Sequence, residues 1–569
     1  MNDTISSRSI APAYFLAGIL PIVYRLGIGS LMCDDAYITM RFAHNLAHHG
    51  QFVFNLGNPI FACTTLSYGL LVAGLTALGI STLTASWIIT LAADVAVCIL
   101  LVRSASLISS NVGLAYVSPI AWLLHPITGL NTVSGMETSI ALVAFIWLAI
   151  ACYKGRFGIA LILLSIMVWI RIDAVVAAPV LVYCWLRSGR PRIHLSPVIV
   201  AILIGVVYLI VTKYTYGTVL PQSAIAKARH QGGDLPGAII VALSFIVSVC
   251  GINQAWFWYV AIHLPLLPAL AVVFYRWRRL HRLEQILLLL AIAHAAAFIL
   301  SGRRNTVTYL WYYVPFPTLL LVPALHVVSD MQHRLGAHVK RNRVVVVASV
   351  LCFVCAVFCA VVGALNIADA AVMRLLPSAV LENPQRIEPA MHALRANVWL
   401  LCGITLSTAV WLAALCRRNW SRRTMLAAAF IIALATGLFS LHLNRRRLLV
   451  KYERREEAYL QIGTWAAENL NVGEWIAAHE IGAIGWASLG HPLFDAAGLV
   501  TPEAFELSIH EWAPRWNPAL IAHMSTSERR EPDDIDTPEG YTPFLFPHNL
   551  VLVRDDLVER WRASPPELR

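Results

Sequence analysis

Two adjacent carboxylates, Asp34 and Asp35, stand where the first apolar run of the chain gives way to CDDAYITMRFAHNLAHHG. A carboxylate at a membrane edge can act as general base on an attacking hydroxyl. Scarcity makes the pair conspicuous: of 32 Asp and Glu, only 12 fall in residues 1–444, and two of those 12 are neighbours. One Asp suffices to cap a helix, because a cap needs a single oxygen acceptor, so the second is left over for other work.

From Asp34 onward, Ile38, Phe42 and Leu46 recur every four residues, while Arg41, His44, Asn45 and His48 hold the other side until Gly50. This pattern predicts a short amphipathic helix on the membrane surface. Asp34 shares a helical face with Arg41 and Asp35 leans toward the Phe42 side, which leaves either as the base. Further cations, Arg171, Lys227, Arg229, Arg303 and Arg304, fall with Arg41 on the side of the membrane where Lys and Arg are under-represented. A lipid phosphate would hold such groups there, Arg through its paired donors. Ion pairs with outer acids or lipid headgroups are the competing explanation for any one of them.

Glu137 in SGMETS and Asp173 in WIRIDA are the other membrane-flanking acids on that side; each could orient a sugar, pair with Arg41 or Arg171, or cap the next helix. Tyr309, Trp311, Tyr312 and Tyr313 could stack on sugar rings, with interfacial anchoring as the default. Asp94 in LAADVAV reads as a packing residue facing protein. His479-Glu480 lacks the second His of a zinc helix. Cys33 and Cys63 flank one loop and read as two unrelated buried thiols.

The elements that must position these residues are membrane helices. A mean hydropathy of +0.67, with 58% hydrophobic and 13% charged residues, describes a polytopic membrane protein and excludes a soluble enzyme. Apolar runs predict about 11–14 crossings. They include 62–81, whereas 113–127 is short and contains Pro119. Residues 1–444, the membrane domain, carry 30 Lys and Arg against 12 acids; residues 445–569 carry 13 against 20. That division is a membrane part with basic loops followed by an acidic soluble α/β domain, not a nucleic-acid signature.

Basic clusters around Lys154, 187–192, 276–282, 334–343 and 417–423 mark the inside. The loop 31–61, the flanks of Glu137 and Asp173, and the tail then face outward, as expected of a multi-pass protein of the cytoplasmic membrane with an extracytoplasmic site. Three apparent spans between Arg192 and Arg276 conflict in parity, which predicts that one is broken or re-entrant.

These residues resemble the polytopic glycosyltransferases of the GT-C class, closest in motifs to the mycobacterial-type arabinofuranosyltransferases that use decaprenyl-phosphate arabinose. The matching segments are 34–59, HPITGLNTVSGMETS (125–139), Arg171-Ile172-Asp173, YGTVLPQSAIAK (216–227) and HEIGAIGWASLGHPLFDAAGL (479–499). Two departures stand out. Relatives often carry an acid and a Thr-Ser-Pro-Leu-Trp-like run where this chain reads Phe61-Ala62-Cys63-Thr64-Thr65-Leu66, and the third motif is commonly Arg-Pro-Glu.

The resemblance implies a GT-C fold and transfer of a sugar, arabinofuranose first among candidates, from a polyprenyl-phosphate donor to a glycan, lipid or protein hydroxyl. Asp34 or Asp35 would be the base. Lys227, Arg303 and Arg304 would contact phosphate, Arg41 and Arg171 would organise them, and Glu137, Asp173 and Tyr309 would line the substrate. Direct displacement with inversion would follow, since a phosphate leaving group needs no protonation. Some relatives use a divalent cation, but no ligand cluster here compels one. The alternatives are a mannosyl or aminosugar transferase acting on protein or lipid, and a lipid-linked saccharide transporter. A transporter would carry ionisable residues deep in several spans and a repeated architecture, neither of which the sequence displays.

Overall fold

Apolar runs broken by Pro, Gly and basic clusters condense into a bundle with a small α/β domain at one end. The computed structural model describes residues 7–28, 32–230, 235–248, 276–301, 310–339, 454–524, 537–546 and 549–566. Within the bundle, α1 (Ser7–Ile28) lies along α4 (Thr82–Ile108), which also contacts α5 (Val112–Leu124) and α7 (Thr138–Tyr153). Fully buried Ala13 and Ala17 on α1 permit that close approach. The chain continues through α6 (Pro126–Thr132), α8 (Phe157–Ile170), α9 (Ala178–Arg187), α10 (Leu195–Tyr216), α11 (Gln222–His230), α12 (Leu235–Ser248), α13 (Arg282–Ser301) and α14 (Pro315–Val339). One core, including Leu101, Trp122, Phe145, Met167, Leu287 and Leu320, runs through it.

Among the described helices, α4, α10 and α13 are long and apolar enough to cross a membrane, and six shorter apolar helices accompany them. The run 62–81, expected to span, instead forms α3 (Leu66–Ala77), whose 12 residues reach only about 18 Å. It packs on α2 (Asp34–His49) and α4. The short stretch with Pro119 is α5, a full member of the core. Of the three apparent spans between Arg192 and Arg276, the first two contain α10 and α12, and 249–275 lies outside the described residues.

The two ends of the bundle differ. At the basic end, the Tyr153 ring meets His281 at 5.0 Å, Arg276 pairs with Asp330 at 2.5 Å and Arg282 donates to Ser188. At the other end sit α2, Glu137, Arg171 and the C-terminal domain.

That domain holds a five-stranded sheet in the order β2-β1-β3-β5-β4. Its strands are β1 (Ile476–Ala478), β2 (Leu493–Asp495), β3 (Leu520–Met524), β4 (Tyr541–Phe546) and β5 (Asn549–Arg554). β1 runs parallel to both β2 and β3, and β5 is antiparallel to β3 and β4. Helices α15 (Arg454–Asn469) and α16 (Gly482–Ala487) pack together, and the α15 residue Trp465 meets Trp561 at 4.8 Å. The predicted α/β tail is therefore present, with β2 as the edge strand that meets the loop after α2.

Candidate active site

Helix α2 forms where the pattern placed it. Asp34 and Asp35 occupy its first turn, His48 and His49 its last, and Gly50 ends it in the left-handed region at φ 69°. It is not a surface helix with a wet polar face. Ala36, Met40 and Ala43 pack toward the bundle, whereas Asp34, Arg41 and Asn45 are themselves buried.

What covers that polar face is the C-terminal domain together with the loop that follows α2. The Asp34 carboxylate accepts the backbone N–H groups of Ala483 (2.7 Å) and Gly482 (3.0 Å) at the start of α16. Arg41 donates to the carbonyls of Gly485 (2.6 Å), His491 (2.6 Å) and Phe54 (2.9 Å), and its guanidinium lies 4.5 Å from the Phe54 ring centroid. Asn55 accepts from the Leu493 N–H (3.0 Å) and donates to the Leu493 carbonyl (2.8 Å), filling the place of a further strand beside β2. Burial then pulls the Arg41 guanidinium down to about 9, with no carboxylate beside it to oppose the shift. These contacts make Arg41 an organiser of the interdomain seam.

Burial pushes the Asp34 carboxyl up to about 6; the Ala483 N–H acts against this and the neighbouring Asp35 charge adds to it. Glu480, two residues before α16, rises well above the carboxylate range through burial and then through the charge of Asp34. Asp35 is different. It is half-buried, and no described residue forms a hydrogen bond or ion pair with its carboxylate.

A second assembly lies beside it. Arg171, at the end of α8, pairs with Glu137 (2.9 Å), which precedes α7, and grips both oxygens of Asp173 at 3.0 Å. The Tyr312 ring lies 5.4 Å from its guanidinium. The pairing of Glu137 and Asp173 with Arg171, one of the expected alternatives, is thus the arrangement found. Glu137 Oε2 is buried without a hydrogen-bond partner.

Other expectations resolve individually. Asp94 faces protein, fully buried, and pairs with Arg25 at 2.5 Å, a partner that sequence reading missed. Tyr313 is buried in the core and Trp311 is half-buried, packed near Cys33 and Ala36. Cys33 and Cys63 are free buried thiols. The backbone of Lys227 lies in α11. Arg303, Arg304 and Tyr309 lie outside the described residues, and among those described no group of three or more His, Cys, Asp or Glu is arranged to hold a metal ion.

All five motif segments converge on this end of the bundle. Cys33 N–H reaches the Ser134 carbonyl (3.0 Å), Arg171 reaches Glu137, and the Tyr216 hydroxyl reaches the Phe52 carbonyl (2.7 Å). Gln222 reaches the Gly498 carbonyl (3.2 Å), and Asp34 reaches α16.

The architecture has solved counterparts. The chain superposes on the crystal structure of ArnT from Cupriavidus metallidurans bound to undecaprenyl phosphate with a TM-score of 0.63 and 13% identity, covering 96% of this chain and 98% of that one. The apo form gives 0.62 and 14%, covering 97% and 99%. At that identity the likeness establishes the fold, a GT-C polytopic membrane fold with a C-terminal α/β domain. Residues 447–560 match a family described as a domain of unknown function (DUF8728). No curated protein sequence matches the chain.

Proposed function

We propose that this protein is a membrane glycosyltransferase that moves a sugar, arabinofuranose first among candidates, from a polyprenyl-phosphate donor to an acceptor hydroxyl at the outer face of the cytoplasmic membrane. What supports this reading above all is the convergence of the five motif segments on the end of the bundle that carries Asp35, a carboxylate without a hydrogen-bond partner among the described residues, in a chain superposing end to end on a protein bound to undecaprenyl phosphate. Both Asp34 oxygens are engaged by α16, which favours Asp35 as the base.

In the proposed reaction the acceptor oxygen attacks the anomeric carbon as its proton passes to the Asp35 carboxylate. The anomeric C–O bond breaks, and its electron pair leaves with the polyprenyl phosphate. Lys227, Arg303 and Arg304 would receive the developing phosphate charge. Glu137, Asp173 and Tyr309 would line the sugar, and Arg171 would hold the two acids in place. A mannose or aminosugar donor would need no change in this chemistry.

The test is transfer from a panel of synthetic polyprenyl-phosphate sugars to added acceptors by the purified protein. Product from at least one donor is expected; none from any donor would reject the assignment.

A further inference from the structure

The C-terminal domain touches the membrane part through backbone as much as through side chains, and the fit is close. A Cβ at Gly482 would meet the Asp34 carbonyl oxygen at 1.8 Å. One at Gly485 would meet the Phe54 ring at 2.8 Å and the Arg41 guanidinium at 2.9 Å. Only glycine allows α16 to lie on α2 at this distance. Around these points, Asp34 caps α16, Arg41 ties its Gly485 carbonyl to the Phe54 carbonyl, and Asn55 pairs with both backbone groups of Leu493. Trp486 closes the outer margin, 6.4 Å from Tyr37 and 5.8 Å from His44 between ring centroids.

Among the described residues, Gln222 also reaches the Gly498 carbonyl, but Asp34, Arg41 and Asn55 all lie on α2 or within six residues of its end, and α2 is the helix that carries Asp35. The anchors use the α2 face centred on Asp34 and Arg41, and Asp35, one residue on, projects about 100° around the helix. Fixing the first face therefore fixes the direction of the second.

We infer that the C-terminal domain is a positioning module. It holds α2 at a set rotation and depth through Asp34, Arg41 and Asn55, so that Asp35 meets the acceptor hydroxyl. Asn55, Gly482 and Gly485 are positioning residues, and Asp34 is one as well. The catalytic half of this inference rests on the function proposed above. The mechanical half does not.

Two variants of the full-length protein test it, Asn55→Ala and Gly485→Ala, each measured by amide hydrogen exchange and by single-turnover transfer at saturating donor. Exchange in the peptide covering 34–49 should rise by at least about ten-fold, since Asn55→Ala removes two hydrogen bonds worth roughly a factor of five each. Exchange in β3 and β5 should stay unchanged, showing a folded domain. The transfer rate should fall by about ten- to a hundred-fold with donor KM within about two-fold, as for a misplaced catalytic group. Unchanged protection of α2 in Asn55→Ala would overturn the inference even if Gly485→Ala failed to fold. So would loosened α2 with an unchanged rate. If the wild-type protein transferred no sugar, the reading of function would fall while the exchange result still judged the seam.

Discussion

Two assemblies of acids and cations meet at one end of this bundle, and they differ in what their polar atoms face. In the seam, Asp34, Arg41 and Asn55 are turned onto backbone N–H and carbonyl groups of another part of the chain. In the second assembly, Arg171 binds two carboxylates, while among the described residues Glu137 keeps a buried oxygen without a partner and Asp35 forms no hydrogen bond or ion pair. The contrast teaches that a buried charge satisfied by backbone is holding the fold, whereas the incompletely satisfied groups are those available to a substrate.

Removing a cation from each assembly sharpens that contrast most. Arg171→Ala strands Glu137 and Asp173 and should cost roughly 3–5 kcal/mol, the usual penalty for breaking a buried pair. Arg41→Ala leaves unpaired carbonyls rather than unpaired charges and should cost about 1–3 kcal/mol. Thermal or chemical unfolding of the purified variants checks the order, and equal losses would remove the distinction.

A pH dependence belongs to the seam and the domain behind it. Asp34, Glu480 and Asp495 all hold their protons more tightly when folded, Asp495 up to about 7 chiefly through burial. The folded state therefore binds more protons than the unfolded chain above pH about 4. Their contribution is fullest below that pH and is lost as pH rises, through about 6 for Asp34 and about 7 for Asp495. Each group should supply a slope of at most about 1.4 kcal/mol per pH unit. Asp495→Asn and Glu480→Gln should each flatten the unfolding profile between pH 4.5 and 7.5 relative to wild type, and an unaltered slope in both would refute the linkage.

The smallest effect concerns the loop side of α2. Asn45 donates to the carbonyls of Val53 (2.9 Å) and Phe54 (3.0 Å), so Asn45→Ala should lower stability by about 1 kcal/mol and spare the seam contacts of Asp34. Hydrogen exchange at Gly482 and Ala483 reports on the latter.

Much of this was legible in the chain. The end signals of α2, two acids in its first turn and Gly50 after it, are local, and so are the acidic tail and the basic loops. The seam was not, because Arg41 finds its partners 444 and 450 residues away, where the acceptors are carbonyls that every residue possesses. Asn55 lay within the first motif, yet only the edge of β2 gives its amide a purpose. His479-Glu480 reads in sequence as half of a zinc motif, whereas the significance of Glu480 is its proximity to Asp34. The apolar run 62–81 misled because hydropathy counts side chains rather than helical length, and only Leu66–Ala77 is helical there. Arg25 and Asp94 are likewise far apart in sequence, and the packing of α1 on α4 brings them together.

The central claim is the division of labour within the opening pair: Asp34 holds and Asp35 reacts. Single-turnover sugar transfer by Asp35→Asn and Asp34→Asn, measured side by side at saturating donor, tests it most directly. The account predicts a loss of at least about a hundred-fold for Asp35→Asn, as for removal of a general base. It predicts a smaller loss for Asp34→Asn, whose amide oxygen can still accept one N–H of α16. Full activity in Asp35→Asn with abolished transfer in Asp34→Asn would contradict it.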